Sequence, residues 1–168
     1  MITYQEAKQI LDDKNKVPYP KLINVRRNPL YADIIYDQYA GQYGELSAIT
    51  QYIYEHININ QNEDIKKIML QIAIEEMRHL DLIGELLLKL GGKAIYIGSN
   101  KKLWNASFLN YESMYIKDIM KYNIETEEIA IKGYKKVMSY SRNKSVIDLF
   151  ERIIQDENAH LDIFERIM

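Results

Sequence analysis

EMRHLD, residues 76 to 81, and ENAHLD, residues 157 to 162, decide the reading of this chain, because each sets a Glu-x-x-His pair into an otherwise apolar helical stripe. Residues three apart on a helix project from one face, so each pair aims a carboxylate and an imidazole at one point. Working outward, the stripe around the first pair is Ile65, Ile68, Ile72, Leu80, Ile83 and Leu87, and around the second Val146, Leu149, Phe150, Ile153, Leu161 and Phe164. Both have helical periodicity.

Each of these helices follows another that carries a matching signal. ELSAITQY, residues 45 to 52, and EEIAIKGY, residues 127 to 134, share Glu, Ala, Ile and Tyr at identical spacing. Glu127 lies 82 positions after Glu45 and Glu157 lies 81 after Glu76, so the chain reads as a duplicated helical hairpin. The midpoint between Glu45 and the first Glu-x-x-His falls near Gln61, within the polar turn INQNED, and the corresponding midpoint in the second half falls within SRNKS. Glu45, Glu76, His79, Glu127, Glu157 and His160 should therefore meet at one level of a four-helix bundle.

The helices can be bounded. Asn28 and Pro29 form a cap and first-turn pair that opens a helix running to about His56, with Tyr31, Ile34, Ile35, Ala48, Ile49 and Tyr52 on its inner face. Asn60 or Asn62 caps the second, which stops at Gly91 and Gly92. The third runs from about Glu112 to Tyr140 and the fourth from about Lys144 to the end. Residues 91 to 111 make too long a link for a tight turn, so they should traverse the bundle, with Trp104 and Phe108 packed on it or on a partner subunit. A homodimer or higher homo-oligomer is expected. Residues 1–28 read as a short leading helix with a Thr3/Glu6 capping box, a minor element, followed by an extended arm holding two of the three prolines; residues 29–168 form the bundle.

Four buried glutamates without partners would each cost several kcal/mol (roughly) to desolvate. Two divalent cations balance them in formal charge, and carboxylate oxygen with imidazole nitrogen suits iron or manganese. The absence of cysteine excludes thiolate zinc and cysteine-ligated iron–sulfur centres. The competing reading makes these Glu and His solvated surface ion pairs, but every one falls on an apolar stripe. The neighbouring Glu75, Glu125, Glu128 and Asp156 are assigned to the solvated face. Tyr52 and Tyr134 fit hydrogen bonding at the site or plain core packing equally well, and Asp81 and Asp162 fit either a supporting or a surface role. His56, eleven residues beyond Glu45, is too far along the helix to join the centre. A formal charge of -2 without a basic stripe argues against nucleic acid, and no stretch reads as a membrane span or signal-peptide core, so a cytoplasmic protein is expected.

In its order of Glu, Glu-x-x-His, Glu, Glu-x-x-His, the chain resembles the ferritin-like superfamily over residues 29 to 168, particularly its rubrerythrin, bacterioferritin and manganese-catalase branches. The resemblance implies an all-α ferritin-like four-helix bundle in which Glu45, Glu127, Glu76 with His79, and Glu157 with His160 ligate two iron or manganese ions. It also implies redox chemistry on a small molecule, peroxide or dioxygen. The alternatives are an iron-binding or storage protein with a ferroxidase-type centre, and a metal-stapled structural bundle without turnover. Two departures stand out: Ile124 occupies the position of an additional metal-binding glutamate of rubrerythrins, and the cysteine-rich rubredoxin module is absent.

Overall fold

In the computed structural model, residues 2–112 and 115–168 are described. The chain forms α1 (Tyr4–Asn15), α2 (Pro29–Ala40), α3 (Glu45–Asn58), α4 (Glu63–Lys89), α5 (Ile116–Ser139) and α6 (Lys144–Ile167), with one 3-10 turn at Ala106–Phe108. The fold is the all-α ferritin-like four-helix bundle. Helices α3 and α4 pair as one hairpin and α5 and α6 as the other.

Local chemistry sets most boundaries. Asn62 accepts the backbone N–H groups of Asp64 and Ile65, and Asn143 those of Ser145 and Val146, so both inner hairpin helices start on a side-chain cap. Helix α4 ends where Gly91 adopts a φ of 84°, a left-handed conformation suited to glycine. The expected start of the third helix at Glu112 adjoins Ser113 and Met114, which lie outside the described residues; α5 itself begins at Ile116.

The first long helix is not continuous. It breaks at residues 41–44 into α2 and α3, because the backbone folds back on the end of α2. A Cβ on Gly41 would stand 2.5 Å from the Asp37 carbonyl oxygen, and one on Gly44 would stand 2.8 Å from that of Gln38. Ser47 closes the break by donating its hydroxyl to the Gly41 carbonyl at 2.8 Å. The break makes Glu45 the first residue of α3, where the positive end of the helix dipole favours an acid.

Two apolar clusters fill the bundle. One joins α2 to Leu82–Leu87 of α4 and Leu90 at its C-cap, Tyr134 and Val137 of α5, and Val146–Ile153 of α6. The other joins Ala7 and Leu11 of α1 to Ile65–Ala73 of α4, Ile119 and Met120 of α5, and Ala159–Ile167 of α6. Each fully buried Ile, Leu or Phe contributes about 1.5–3 kcal/mol relative to exposure. The proposed ligands lie between the clusters, so apolar packing closes the polar level from above and below.

The clusters also fix the crossover. Helix α4 ends in the first and α5 begins in the second, so the link must travel the length of the bundle. It does so alongside α2 and α3: Ser99 N–H donates to Asp37 at 2.7 Å, Trp104 Nε1 to Ser47 at 3.0 Å, and Asn110 N–H to Gln51 at 2.8 Å. Trp104 packs against the first cluster, as its expected place on the bundle required. Helix α1 is more than a minor element, since Leu11 is buried in the second cluster against α4 and α6.

Candidate metal centre

All six residues singled out in the sequence are buried and come together. Glu45 opens α3, Glu76 and His79 lie halfway along α4, Glu127 on α5, and Glu157 and His160 on α6. Their donor atoms form two groups within which all lie 4.8 Å or less apart: Glu45, Glu76, His79 and Glu157, and Glu76, Glu127, Glu157 and His160. Glu76 and Glu157 belong to both.

Each imidazole presents Nδ1 to the interior. His79 Nδ1 lies 2.8 Å from Glu76, 3.3 Å from Glu157 and 3.8 Å from Glu45. His160 Nδ1 lies 3.0 Å from Glu157, 3.0 Å from Glu76 and 3.8 Å from Glu127. The outer carboxylates are tied across the bundle by tyrosines: Tyr52 donates to Glu127, and Tyr134 to Glu45. Hydrogen bonding is thus the role of both tyrosines, in addition to packing.

Burial and mutual repulsion oppose ionisation of the two outer carboxylates, Glu45 and Glu127. Burial, then the charge of Glu76, pushes Glu45 well above the usual carboxylate range. Burial with the charges of Glu157 and Glu76 pushes Glu127 up to about 8. Burial also opposes ionisation of Glu76, but the imidazoles of His160 and His79 outweigh it and hold that carboxyl below its ordinary value. Burial favours neutral imidazoles, yet the acids, led by Glu157 at His79 and Glu76 at His160, raise both histidines well above theirs. Protons here take the place of positive charge that the cluster demands.

The donor set fits a pair of divalent cations. Four carboxylates and two inward nitrogens face one volume, and Glu76 Oε1, buried, has no hydrogen bond although His160 Nδ1 lies 3.0 Å away. Two carboxylates common to both groups are what a pair of ions sharing ligands requires.

The sequence reading missed what supports the histidines. Glu75 and Asp156, assigned there to the solvated face, are buried. Glu75 lies 3.0 Å from His160 Nε2 and Asp156 lies 3.2 Å from His79 Nε2, each reaching the helix opposite its own. Asn15 of α1 donates to Glu75 at 2.7 Å, and Tyr19 of the arm donates to Asp156 at 2.7 Å. One signal was available: an acid directly precedes each Glu-x-x-His in both halves. Glu125 and Glu128 are exposed, as expected, and Asp81 and Asp162 make ion pairs with Arg78 and Arg166 at 3.2 and 2.9 Å. His56 stands apart, its Nδ1 2.7 Å from the Lys66 carbonyl.

A cavity of about 30 Å³, measured for the centres of water-sized molecules, reaches the centre between α3 and α5. Glu127 and Tyr52 line its inner end, with Gln51, Tyr122 and the crossover's Phe108 around it. It has room for a water molecule or a solute of similar width.

The rubrerythrin family model matches residues 42–168, most of the chain and all six residues. This chain belongs to the rubrerythrin family. Among the family's wider kin, it is 23% identical over 164 residues to a probable manganese catalase of Clostridium acetobutylicum, covering 85% of this chain and 72% of that protein. It is 30% identical over 129 residues to the bacterioferritin of Desulfovibrio desulfuricans, covering 73% and 67%. In structure it is similar to KatB, a manganese catalase from Anabaena, with a TM-score of 0.81 and 25% identity over 87% of this chain and 74% of that one. The Desulfovibrio desulfuricans bacterioferritin, described with a diiron site, shares the fold at a TM-score of 0.68 and 23% identity, covering 94% and 81%. So does a dodecameric thioferritin from Bacteroides fragilis, at 0.68 and 17%, covering 97% and 92%. No helix among the described residues is long and apolar enough to cross a membrane.

Proposed function

We propose that Glu45, Glu76, His79, Glu127, Glu157 and His160 hold two iron or manganese ions, and that the chain is a dimetal oxidoreductase acting on peroxide or dioxygen. The observation that carries this reading is the sharing of Glu76 and Glu157 between two otherwise separate ligand groups. When bound, a pair of such ions supplies the electron-transfer chemistry by which an O–O group is reduced or disproportionated.

The chain's own residues prepare the site. Asp156 and Glu75 accept from the outer imidazole nitrogens, which turns each Nδ1 lone pair inward. Tyr134 and Tyr52 hold Glu45 and Glu127 in place. The apolar clusters pack on either side of the centre, and the cavity at Glu127 and Tyr52 has room for a peroxide-sized molecule.

Similarity to manganese catalases favours donor-free disproportionation of hydrogen peroxide; 30% identity to a bacterioferritin favours the second reading, ferrous-ion oxidation with iron storage. The metal-loaded protein distinguishes them. Oxygen release from hydrogen peroxide without a reductant supports catalase-type turnover, and reductant-dependent consumption supports peroxidase-type turnover. Ferrous oxidation with retained mineral supports storage, and inertness in all three assays leaves a metal-stapled structural bundle. The chain is proposed to act in the cytoplasm, as a homodimer or larger homo-oligomer; sedimentation as a monomer would contradict the oligomer.

A further inference from the structure

The two halves of the centre match in their inner residues and differ in what stands behind them. QIAIEEMRHLD, residues 71 to 81, and RIIQDENAHLD, residues 152 to 162, align without a gap, and each sends the acid before its Glu-x-x-His to the imidazole of the other helix. The bonds from Tyr52 and Tyr134 are likewise paired. The asymmetry begins one layer further out.

Behind His79 the acid is neutralised. Asp156 Oδ1 accepts Arg152 Nη1 at 2.5 Å, while its Oδ2 is shared between His79 Nε2 at 3.2 Å and the Tyr19 hydroxyl at 2.7 Å. Arg152 is only 3% exposed, and two further donors are fixed on the carbonyls of Val17, at 2.9 Å, and Lys14, at 2.8 Å. Behind His160 the acid has no such cation. Glu75 Oε2 lies 3.0 Å from His160 Nε2, and its other oxygen accepts the neutral Asn15 amide, at 2.7 Å. Among the described residues no lysine or arginine pairs with Glu75, and the position that duplicates Arg152 is Gln71.

An imidazole that donates to an uncompensated carboxylate becomes the more basic ligand at its other nitrogen. A carboxylate committed to a guanidinium and a phenol draws less on the imidazole proton. We propose that the two metal positions are therefore unequal: the ion held by Glu127 and His160 binds more tightly and loads first, and Arg152 with Tyr19 are positioning residues that weaken the ion held by Glu45 and His79. This rests on the dimetal reading.

The test is a titration of the metal-free full chain with Mn2+, following free Mn2+ by electron paramagnetic resonance, with thermal melting of each metal-free variant to establish that it is folded. The wild type should show two steps at least about 10-fold apart in dissociation constant. Glu75→Gln, which keeps an acceptor but removes the charge, should weaken the tighter step by about 10–100-fold. Asp156→Asn should leave the tighter step in place. Arg152→Gln, which makes the halves alike, should tighten the weaker step; because Arg152 also anchors the arm, Tyr19→Phe provides a milder variant with the same direction. Two equal sites in the wild type, or a larger loss from the tighter step in Asp156→Asn than in Glu75→Gln, would overturn the inequality while leaving the dimetal centre intact. A wild type that binds no Mn2+ would overturn both.

Discussion

Tyr52 on α3 donates its hydroxyl to Glu127 on α5, joining residues 75 positions apart across the centre of the bundle. Both are buried, so removing the donor leaves a carboxyl group that only a water in the adjoining cavity could partner. Glu127, raised to about 8, keeps its proton at neutral pH in the metal-free protein, and a hydrogen bond between neutral groups contributes about 0.5–1.5 kcal/mol. Tyr52→Phe should destabilise the metal-free protein by about that amount in urea denaturation, and by less once metal holds Glu127. An unchanged midpoint in the metal-free protein would show that the bond contributes nothing.

Stability and metal binding should depend on pH in opposite directions. Glu45, Glu55 and Glu127 are raised above the ordinary carboxyl value of 4.5, the last two to about 8, so the folded chain keeps protons that the unfolded chain has released. Their contribution fades as pH climbs from 4.5 through about 8. The raised imidazoles of His79 and His160 act in the same sense: their contribution is complete below the ordinary value of 6.5 and lost as pH rises through the folded values. Asp156, held down to about 2 by His79 and Arg152 against the upward push of burial, acts oppositely and is lost only in strong acid. The melting temperature of metal-free protein should therefore fall between about pH 6 and pH 9, whereas metal-loaded protein, whose ligands have already surrendered their protons, should keep only the smaller drop that Glu55 supplies. A metal-free melting temperature that rises over this range would contradict the assignment.

Glu55 separates one contribution from the rest. It is buried away from the six residues and accepts Gln51 at 2.8 Å and Asn123 at 2.7 Å. Burial is what raises it. Glu55→Gln should flatten the alkaline loss of stability and leave metal content unchanged; a parallel loss of metal would place Glu55 within the centre.

Much of this architecture was legible because a ligand on an apolar stripe violates the stripe, and the violation occurs at matching positions in both halves. The break at residues 41–44 was hidden: Tyr31, Ile35, Ile49 and Tyr52 keep a helical rhythm across it, and only the close approach of Gly41 and Gly44 to the end of α2 reveals why the helix stops. Glu75 and Asp156 were misread for a different reason. The periodicity of one helix says which way a side chain leaves that helix, but not that the neighbouring helix offers an imidazole 3.0 or 3.2 Å away. Asn15 and Tyr19 carry no periodic signal at all, and only tertiary packing brings them to the acids.

The break itself should resist substitution. Gly44→Ala places a Cβ against the Gln38 carbonyl and must shift backbone next to Glu45. Overpacking of this kind costs about 1–3 kcal/mol. Denaturation should show that loss together with weaker binding of the ion on Glu45, and an unaltered protein would mean that the turn relaxes freely.

Metal content per chain tests the central claim most directly. Protein reconstituted with iron or manganese and freed of excess should contain about two ions per chain by elemental analysis. Glu76→Ala, which removes a residue common to both ligand groups, should lower loading at both positions, and His160→Ala should lower it chiefly at one. His56→Ala, outside the cluster, should still carry two. A wild type without bound metal after reconstitution, or equal metal in all three variants, would contradict the account.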